Sequence, residues 1–472
     1  MQFYHLRKIL FYFPGFLLFI SQAYAQMGYS TGTMARAEQK LTNGSQLTAP
    51  EVVVEELINY HRHNIPIPDT KEGIGVDVKW GNTNVPGRKV VQVGIASGFF
   101  DESQQAPPVN LVVVVDRSGS MSGQKIEHTR QALKTLVYNL RPFDRFSLIY
   151  FDHITNVVFP SQMVREKERI YPLIHGLHPR GSTDLHSAIM KGYQELTTHY
   201  LSGGGNRLLI LTDAITNTGV VDPSVIVQQS YLYRKELKTD ITMVGVGADL
   251  NHDLARNLSS NSQSSFHFIN QASDIQKVFQ QEVQSLLAPI GHSVNLTLSL
   301  PPGLLVEHFY GYQPTYSQNR ITIPLNNINA GLTQVVLLDV RMAPGADKQP
   351  IEASLTYEDI RKNQQVTRSA RTVLKAGTFQ PLDADLAKNY LIARLATALN
   401  QLPTLLQQRK HQQAYTLLDQ ALREVSTQYP SQPEAITLVD PDVKRVANLV
   451  QGYRDRIQLH LSTARPHTIP QD

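Results

Sequence analysis

Hydrophobic and polar positions fall into regimes that predict different architectures. Between about 108 and 287, short continuous apolar runs alternate with stretches whose apolar residues recur every three to four positions. The runs are Leu111–Val115, Arg145–Phe151, Arg207–Thr212 and Asp240–Val246; the stretches Gln124–Leu140, Leu185–Leu196 and 223–237 predict helices, as does 272–287. Runs without in/out alternation belong to strands covered on both faces, so this region predicts an α/β domain with a doubly wound, mostly parallel sheet. The segment 156–159 beside 145–151 predicts an antiparallel edge hairpin turning at Asp152 and His153.

From Ser293 the period changes to two. Val294–Leu300, Arg320–Leu325, Gln334–Val340 and Ile351–Tyr357 alternate apolar and polar residues, as strands of an antiparallel β-sandwich do. Two extended stretches further upstream, 75–80 and 89–95, follow a helix predicted at 50–60 and have no local partner. They are expected to join the sandwich, which makes the α/β domain an insertion between its two halves. Helical spacing returns over 382–406, 412–429 and 440–461, separated by Pro403, Pro430 and Pro433, and predicts a small bundle packed back on the sandwich. The expected organisation is a flexible arm at 26–46, helix and strands at 47–107, the α/β domain at 108–287, sandwich at 288–376, and a helical region at 377–472 with a frayed tail from Arg465.

The first 25 residues set the compartment. Arg7 and Lys8 precede the apolar run Ile9–Ile20, and Ala23 and Ala25 stand where a signal peptidase inspects, so residues 1–25 are expected to be a secretory signal. The product is expected to be exported, periplasmic or secreted. Among 472 residues there is no cysteine, hence no disulfide framework and no lipid-attachment cysteine. The net charge of +4 is spread without Lys/Arg blocks, which argues against nucleic acid as a partner. After signal cleavage no run approaches the roughly twenty apolar residues a membrane span needs.

Candidate chemistry gathers where the apolar runs end. Asp116 closes the valine run and is followed by Ser118 and Ser120; Thr183 lies in the loop Arg180–Asp184 before a helix; Asp213 closes the run from Arg207. In open α/β sheets, loops at the carboxyl ends of strands converge on the ligand crevice. Three hydroxyls and two carboxylates are hard oxygen donors, the set that magnesium prefers when it keeps positions for water or an incoming oxygen.

That spacing resembles the metal-ion-dependent adhesion site of von Willebrand factor type A domains. The resemblance assigns Asp116, Ser118, Ser120, Thr183 and Asp213 to the five positions of the family's site, with Ala214 where glycine often follows the last acid and the basic Arg117 inside the loop. It implies a Rossmann-like fold and a bound Mg2+, with Mn2+ or Ca2+ as alternatives. It also implies that the hydroxyls contact the metal, the carboxylates act directly or through water, and an acidic side chain of a protein partner completes the shell. A bacterial subfamily of secreted type A proteins is also similar at Val53–Tyr60 and at the Pro301–Gly303 to Gly311–Tyr312 segment.

Enzymatic alternatives lack their parts. A haloacid-dehalogenase-type phosphatase needs a second acid two residues after its nucleophile, and Ser118 stands there. No Gly-x-Ser-x-Gly elbow surrounds Ser118 or Ser120, and no Lys-Ser/Thr phosphate loop occurs. His61 and His63, and the group His175, His178 and His186, lack the Cys or Glu of a zinc spacing and read as surface or loop residues. The expectation is a non-enzymatic, metal-dependent, adhesion-type binding protein. The alternative left open is an envelope assembly factor that uses the same site for self-association.

Overall fold

Gly32–Thr42 forms helix α1, where the sequence predicts part of a flexible arm at 26–46. The error has a physical cause: few apolar residues mark this stretch, but Met34 and Ala37 are buried against helices from the far end of the chain. Distant partners hold it there. Glu56 accepts from the Thr33 N–H at 3.1 Å and its hydroxyl at 2.7 Å, and the Tyr453 hydroxyl donates to the Ala37 carbonyl at 2.8 Å. Such a helix is stabilised by tertiary packing rather than by propensity. Helix α2 (Val54–Asn59) follows, then the antiparallel pair β1 (Ile74–Asn82) and β2 (Arg88–Ser97). A computed structural model of the chain describes residues 32–48, 51–67, 73–98, 106–213, 217–237, 239–246, 264–269, 288–343, 349–375, 378–427 and 440–463. The expected signal segment 1–25, the helix expected at 272–287 and the tail from Arg465 lie outside the described residues.

The α/β domain contains β3 (Val109–Asp116), α3 (Gln124–Asn139), β4 (Arg145–Phe151), β5 (Thr155–Met163), α4 (Tyr171–His175), α5 (Leu185–Thr198), β6 (Gly205–Thr212), α6 (Pro223–Leu237), β7 (Asp240–Val246) and β8 (Ser264–Ile269). Its sheet has the order β5-β4-β3-β6-β7-β8. Only the β4–β5 pair is antiparallel, and Asp152 and His153 lie at its turn. Every residue of β3 is buried. Leu111, Val113 and Val115 pack with Leu133, Leu136 and Val137 of α3, whereas Val112 and Val114 pack with Ile189 and Tyr193 of α5. Burial on both faces removes the alternation from the sequence and directs Asp116 out of the strand's carboxyl end.

The chain then builds β9 (Pro289–Ser299), β10 (Leu304–Phe309), β11 (Thr315–Ser317), β12 (Arg320–Pro324), β13 (Ile328–Asn329), β14 (Thr333–Met342), β15 (Ile351–Asp359) and β16 (Gln364–Thr372). Two sheets face each other, β1-β2-β14-β10 against β11-β12-β9-β15-β16, with β13 on β9. β2 and β14 pair antiparallel with Val93 opposite Val336, so the upstream strands do complete the sandwich. The two ends of the insertion meet one turn, since Gly331 N–H donates to Gly98 O at 3.2 Å and Ala330 N–H to Ala288 O at 2.8 Å.

Helices α7 (Ala384–Gln407), α8 (His411–Thr427) and α9 (Pro441–Thr463) cover the outer face of the first sheet. On β2, Val91, Val93 and Ile95 face the sandwich core while Val90 and Ala96 join the helical core; Val335 and Leu337 of β14 do likewise. Pro403, expected as a separator, sits inside α7 and is buried. It removes one hydrogen bond to the carbonyl four residues back, but it lies so near the helix end that only the last turn follows it. Among the described residues no helix is long and apolar enough to cross a membrane.

His61 and His63, expected as surface or loop residues, are also buried, at 6% and 3% exposure. They lie where α2, α7 and the first sheet meet. Asn389 Oδ1 faces His61 Nε2 at 3.2 Å and His63 Nδ1 at 3.1 Å, while Asn59 Oδ1 faces His63 Nε2 at 3.1 Å. Burial holds both imidazoles below the usual histidine value, His63 well below it. A neutral His63 donates to one of its two amide-oxygen neighbours, and His61 Nδ1 has no hydrogen-bond partner among the described residues, so each ring keeps a polar contact to a helix asparagine inside an otherwise packed interior.

Candidate metal-binding site

Asp116 and Asp213 emerge from adjacent parallel strands, β3 and β6, and both are buried, at 0% and 1% exposure. The Asp116 carboxylate is held on both sides. Oδ1 accepts the Ser118 N–H at 2.7 Å and Oδ2 accepts the Thr212 hydroxyl at 2.5 Å. Burial pushes its pKa up to about 6 against those hydrogen bonds, and the charge of Asp213 adds to the rise. Two buried acids on neighbouring strand ends repel each other unless a cation lies nearby.

The hydroxyls arrive from two loops. Ser118 and Ser120 Oγ atoms are 2.9 Å apart, Ser118 buried and Ser120 exposed. The loop of Thr183 is tied to them by the Gly119 N–H, which donates to Gly181 O at 3.1 Å, and by the Arg180 N–H, which donates to Arg117 O at 2.6 Å. Gly181 has φ +71°, and a Cβ there would lie 2.5 Å from the His153 ring, so a side chain would strain the backbone and displace that ring. Thr183 is buried; its N–H donates to Asn217 Oδ1 at 2.8 Å, and its carbonyl accepts from the N–H groups of Asn217 and Thr218, both at 3.2 Å. Thus the loops bearing Asp116, Ser118, Ser120 and Thr183 are bonded together, and Asp213 lies beside them through β6.

Sequence reasoning missed several residues here. Lys125, in the first turn of α3, places Nζ 3.1 Å from Asp213 Oδ2. Among the described residues Asp213 Oδ1 has no hydrogen-bond partner although it is buried. Thr212 and Asn217 orient Asp116 and Thr183 from the positions just before and after the Asp213 loop. Lys125 was legible only as a helix-start residue, because its reach to another strand's terminus is a tertiary fact. The donor set, two buried carboxylates with one orphaned oxygen plus three hydroxyls and no sulfur, fits a hard divalent cation.

Residues 110–281 match the von Willebrand factor type A domain family, so the inserted domain is one of its members. The chain is similar to "Uncharacterized protein YfbK" of Escherichia coli (strain K12), 25% identical over 66% of this chain and 56% of that protein. It is also similar to the inter-alpha-trypsin inhibitor heavy chain H4 of Homo sapiens, 26% identical over 42% of this chain and 23% of that protein. The chain therefore spans little more than half the length of the first relative and less of the second. A solved von Willebrand factor type A protein from Catenulispora acidiphila superposes with a TM-score of 0.56 at 14% identity, covering 81% of this chain and 98% of that chain, and shows that the fold is shared.

Proposed function

We propose that the chain is an exported, non-enzymatic binding protein that grips an acidic side chain of a protein partner through a divalent cation, magnesium first. Asp116, Ser118, Ser120, Thr183 and Asp213 would hold the ion, directly or through water. The bound ion supplies a Lewis-acidic position for one carboxylate oxygen of the partner. The observation that carries this reading is the buried Asp213 Oδ1, without a hydrogen-bond partner among the described residues, beside a second buried carboxylate. An uncompensated oxygen of this kind is costly in an ordinary strand cap. Binding to protein is the coarse property that the matched heavy chain contributes, since it is named as part of a trypsin inhibitor. Export is supported by the basic, apolar and small-residue pattern of residues 1–25.

The test is capture from an envelope extract by the immobilised chain in millimolar magnesium, beside the same capture in chelator and with Asp213→Asn. The expected result is a partner retained only by the wild type in magnesium. Equal retention of the same proteins in chelator would overturn the proposal.

A further inference from the structure

Next to the proposed cation position, two guanidinium groups share one carboxylate. Asp152 is fully buried, and its Oδ2 accepts the Nε–H of Arg117 and the Nε–H of Arg180, both at 2.8 Å. Its Oδ1 accepts the Ile154 N–H at 2.9 Å and faces His153 Nδ1 at 3.0 Å. Burial alone would raise this acid, but the Arg180 and Ile154 hydrogen bonds and the Arg117 charge outweigh it and hold Asp152 ionised below the usual carboxylate range. One negative charge is thus set against two permanent positive ones.

Both arginines are fixed to the loops that carry the candidate ligands. Arg117 lies between Asp116 and Ser118, and its carbonyl accepts the Arg180 N–H. Arg180 precedes Gly181, whose carbonyl accepts the Gly119 N–H. Asp152 uses only the Nε of each guanidinium. Among the described residues the Nη groups make no hydrogen bond, and these are four of the donors with which arginine forks a carboxylate. The Arg180 side chain is 54% exposed and that of Arg117 is 12% exposed, so the first presents the fork and the second backs it with charge. Loop stability does not require this duplication. Arg117 alone would satisfy Asp152, and a half-exposed second cation adds little to folding.

We propose that the Arg180–Arg117 pair reads a second carboxylate of the partner, so that the site takes an extended acidic protein segment carrying two acids on one face. One acid meets the cation and the other meets the Nη groups. In an extended segment, residues i and i+2 point the same way about 7 Å apart, which suits a cation site and an arginine fork on adjoining loops. The inference rests on the cation-dependent reading above and adds to it the kind of sequence that is bound.

The test uses the full chain and two fluorescent peptides, acetyl-Gly-Asp-Gly-Asp-Gly-amide and acetyl-Gly-Ala-Gly-Asp-Gly-amide, titrated by anisotropy in magnesium and in chelator. The two-acid peptide is expected to bind about tenfold more tightly than the one-acid peptide in magnesium. Arg180→Gln should erase that preference and leave the one-acid peptide's affinity unchanged, which also shows that the variant is folded. Arg180→Lys should retain an intermediate preference. Equal binding of the two peptides by the wild type, or a preference that survives Arg180→Gln, would overturn this inference while magnesium-dependent binding of the one-acid peptide left the cation reading intact. Absence of magnesium-dependent binding for both peptides would instead refute the cation reading, and this inference with it.

Discussion

Replacing Asp116 by asparagine should make the metal-free protein more stable, the reverse of what deleting a structural hydrogen-bonding residue does. The ordinary value of this carboxyl is 3.8, and burial lifts it to about 6. That gap is worth about 3 kcal/mol against the ionised form at neutral pH. Asparagine keeps an oxygen for the Ser118 N–H and turns an amide toward the Thr212 hydroxyl, which then accepts instead of donating. Imperfect geometry takes back about 1 kcal/mol, leaving a gain of about 2 kcal/mol. For a domain of this size that is about 4–8 °C in midpoint. The sign follows from linkage: the folded state binds the Asp116 proton more tightly than the unfolded chain, so its penalty is absent below pH 3.8, grows toward about pH 6 and is complete above it. Calorimetry of wild type and Asp116→Asn in chelator at pH 7.5 and at pH 4 measures the difference. With magnesium at ten times its dissociation constant, wild type should regain about 1.4 kcal/mol and the variant nothing. A variant less stable than wild type in chelator at pH 7.5, or one that magnesium stabilises equally, would refute the reasoning.

Lys125→Met removes the ammonium beside Asp213, so the metal-free protein should lose about 1–3 kcal/mol while magnesium binds more tightly, both readable by calorimetry; unchanged magnesium affinity would show that Lys125 does not compete for the site. His61 and His63 are held neutral by burial, with pKa values below 6.5. As pH falls below about 6.5 the unfolded chain takes up protons that the fold refuses, so stability should fall from there downward. Urea titrations at pH 7.5 and 5.5 should show a smaller loss in His63→Gln than in wild type, and equal losses would contradict the assignment. Because Gly98 and Ala288 meet the turn at 330–331, replacing residues 99–287 by a short Gly/Ser linker should leave a soluble, folded sandwich. A fragment starting at residue 288 should aggregate, since β14 loses β2 and exposes its edge; dispersed amide signals from that fragment would contradict this.

The parts of the fold legible in the sequence are those whose burial is periodic. The valines of β3 and the alternation of β9 and β15 each report a local environment, so strand type and layer followed from them. That β1 and β2 join the sandwich was accessible only by elimination, as two extended stretches lacked a nearby partner, and the register of β2 against β14 was not accessible at all. Helix α1 was missed because its stability comes from Glu56, Arg445 and Tyr453, none of which is local. His61 and His63 were misplaced for the same reason, since the helix that buries them and supplies Asn389 lies more than three hundred residues further along the chain. At the candidate site, the residues with a fixed spacing, Asp116, Ser118 and Ser120, and those at run ends, Thr183 and Asp213, could be named. Lys125 and the Arg117–Asp152–Arg180 cluster could not, because their partners lie on other loops and charge pairing leaves no period in the chain.

The central claim, that these loops form a working cation site, is tested most directly by titrating magnesium into the chelator-stripped full chain by isothermal calorimetry, beside Asp213→Asn and Thr183→Ala. The account predicts saturable binding at a single site in the wild type, lost in Asp213→Asn and weakened in Thr183→Ala, with both variants folded by circular dichroism. Saturable binding that both substitutions leave unchanged, or no binding to the folded wild type, would contradict it.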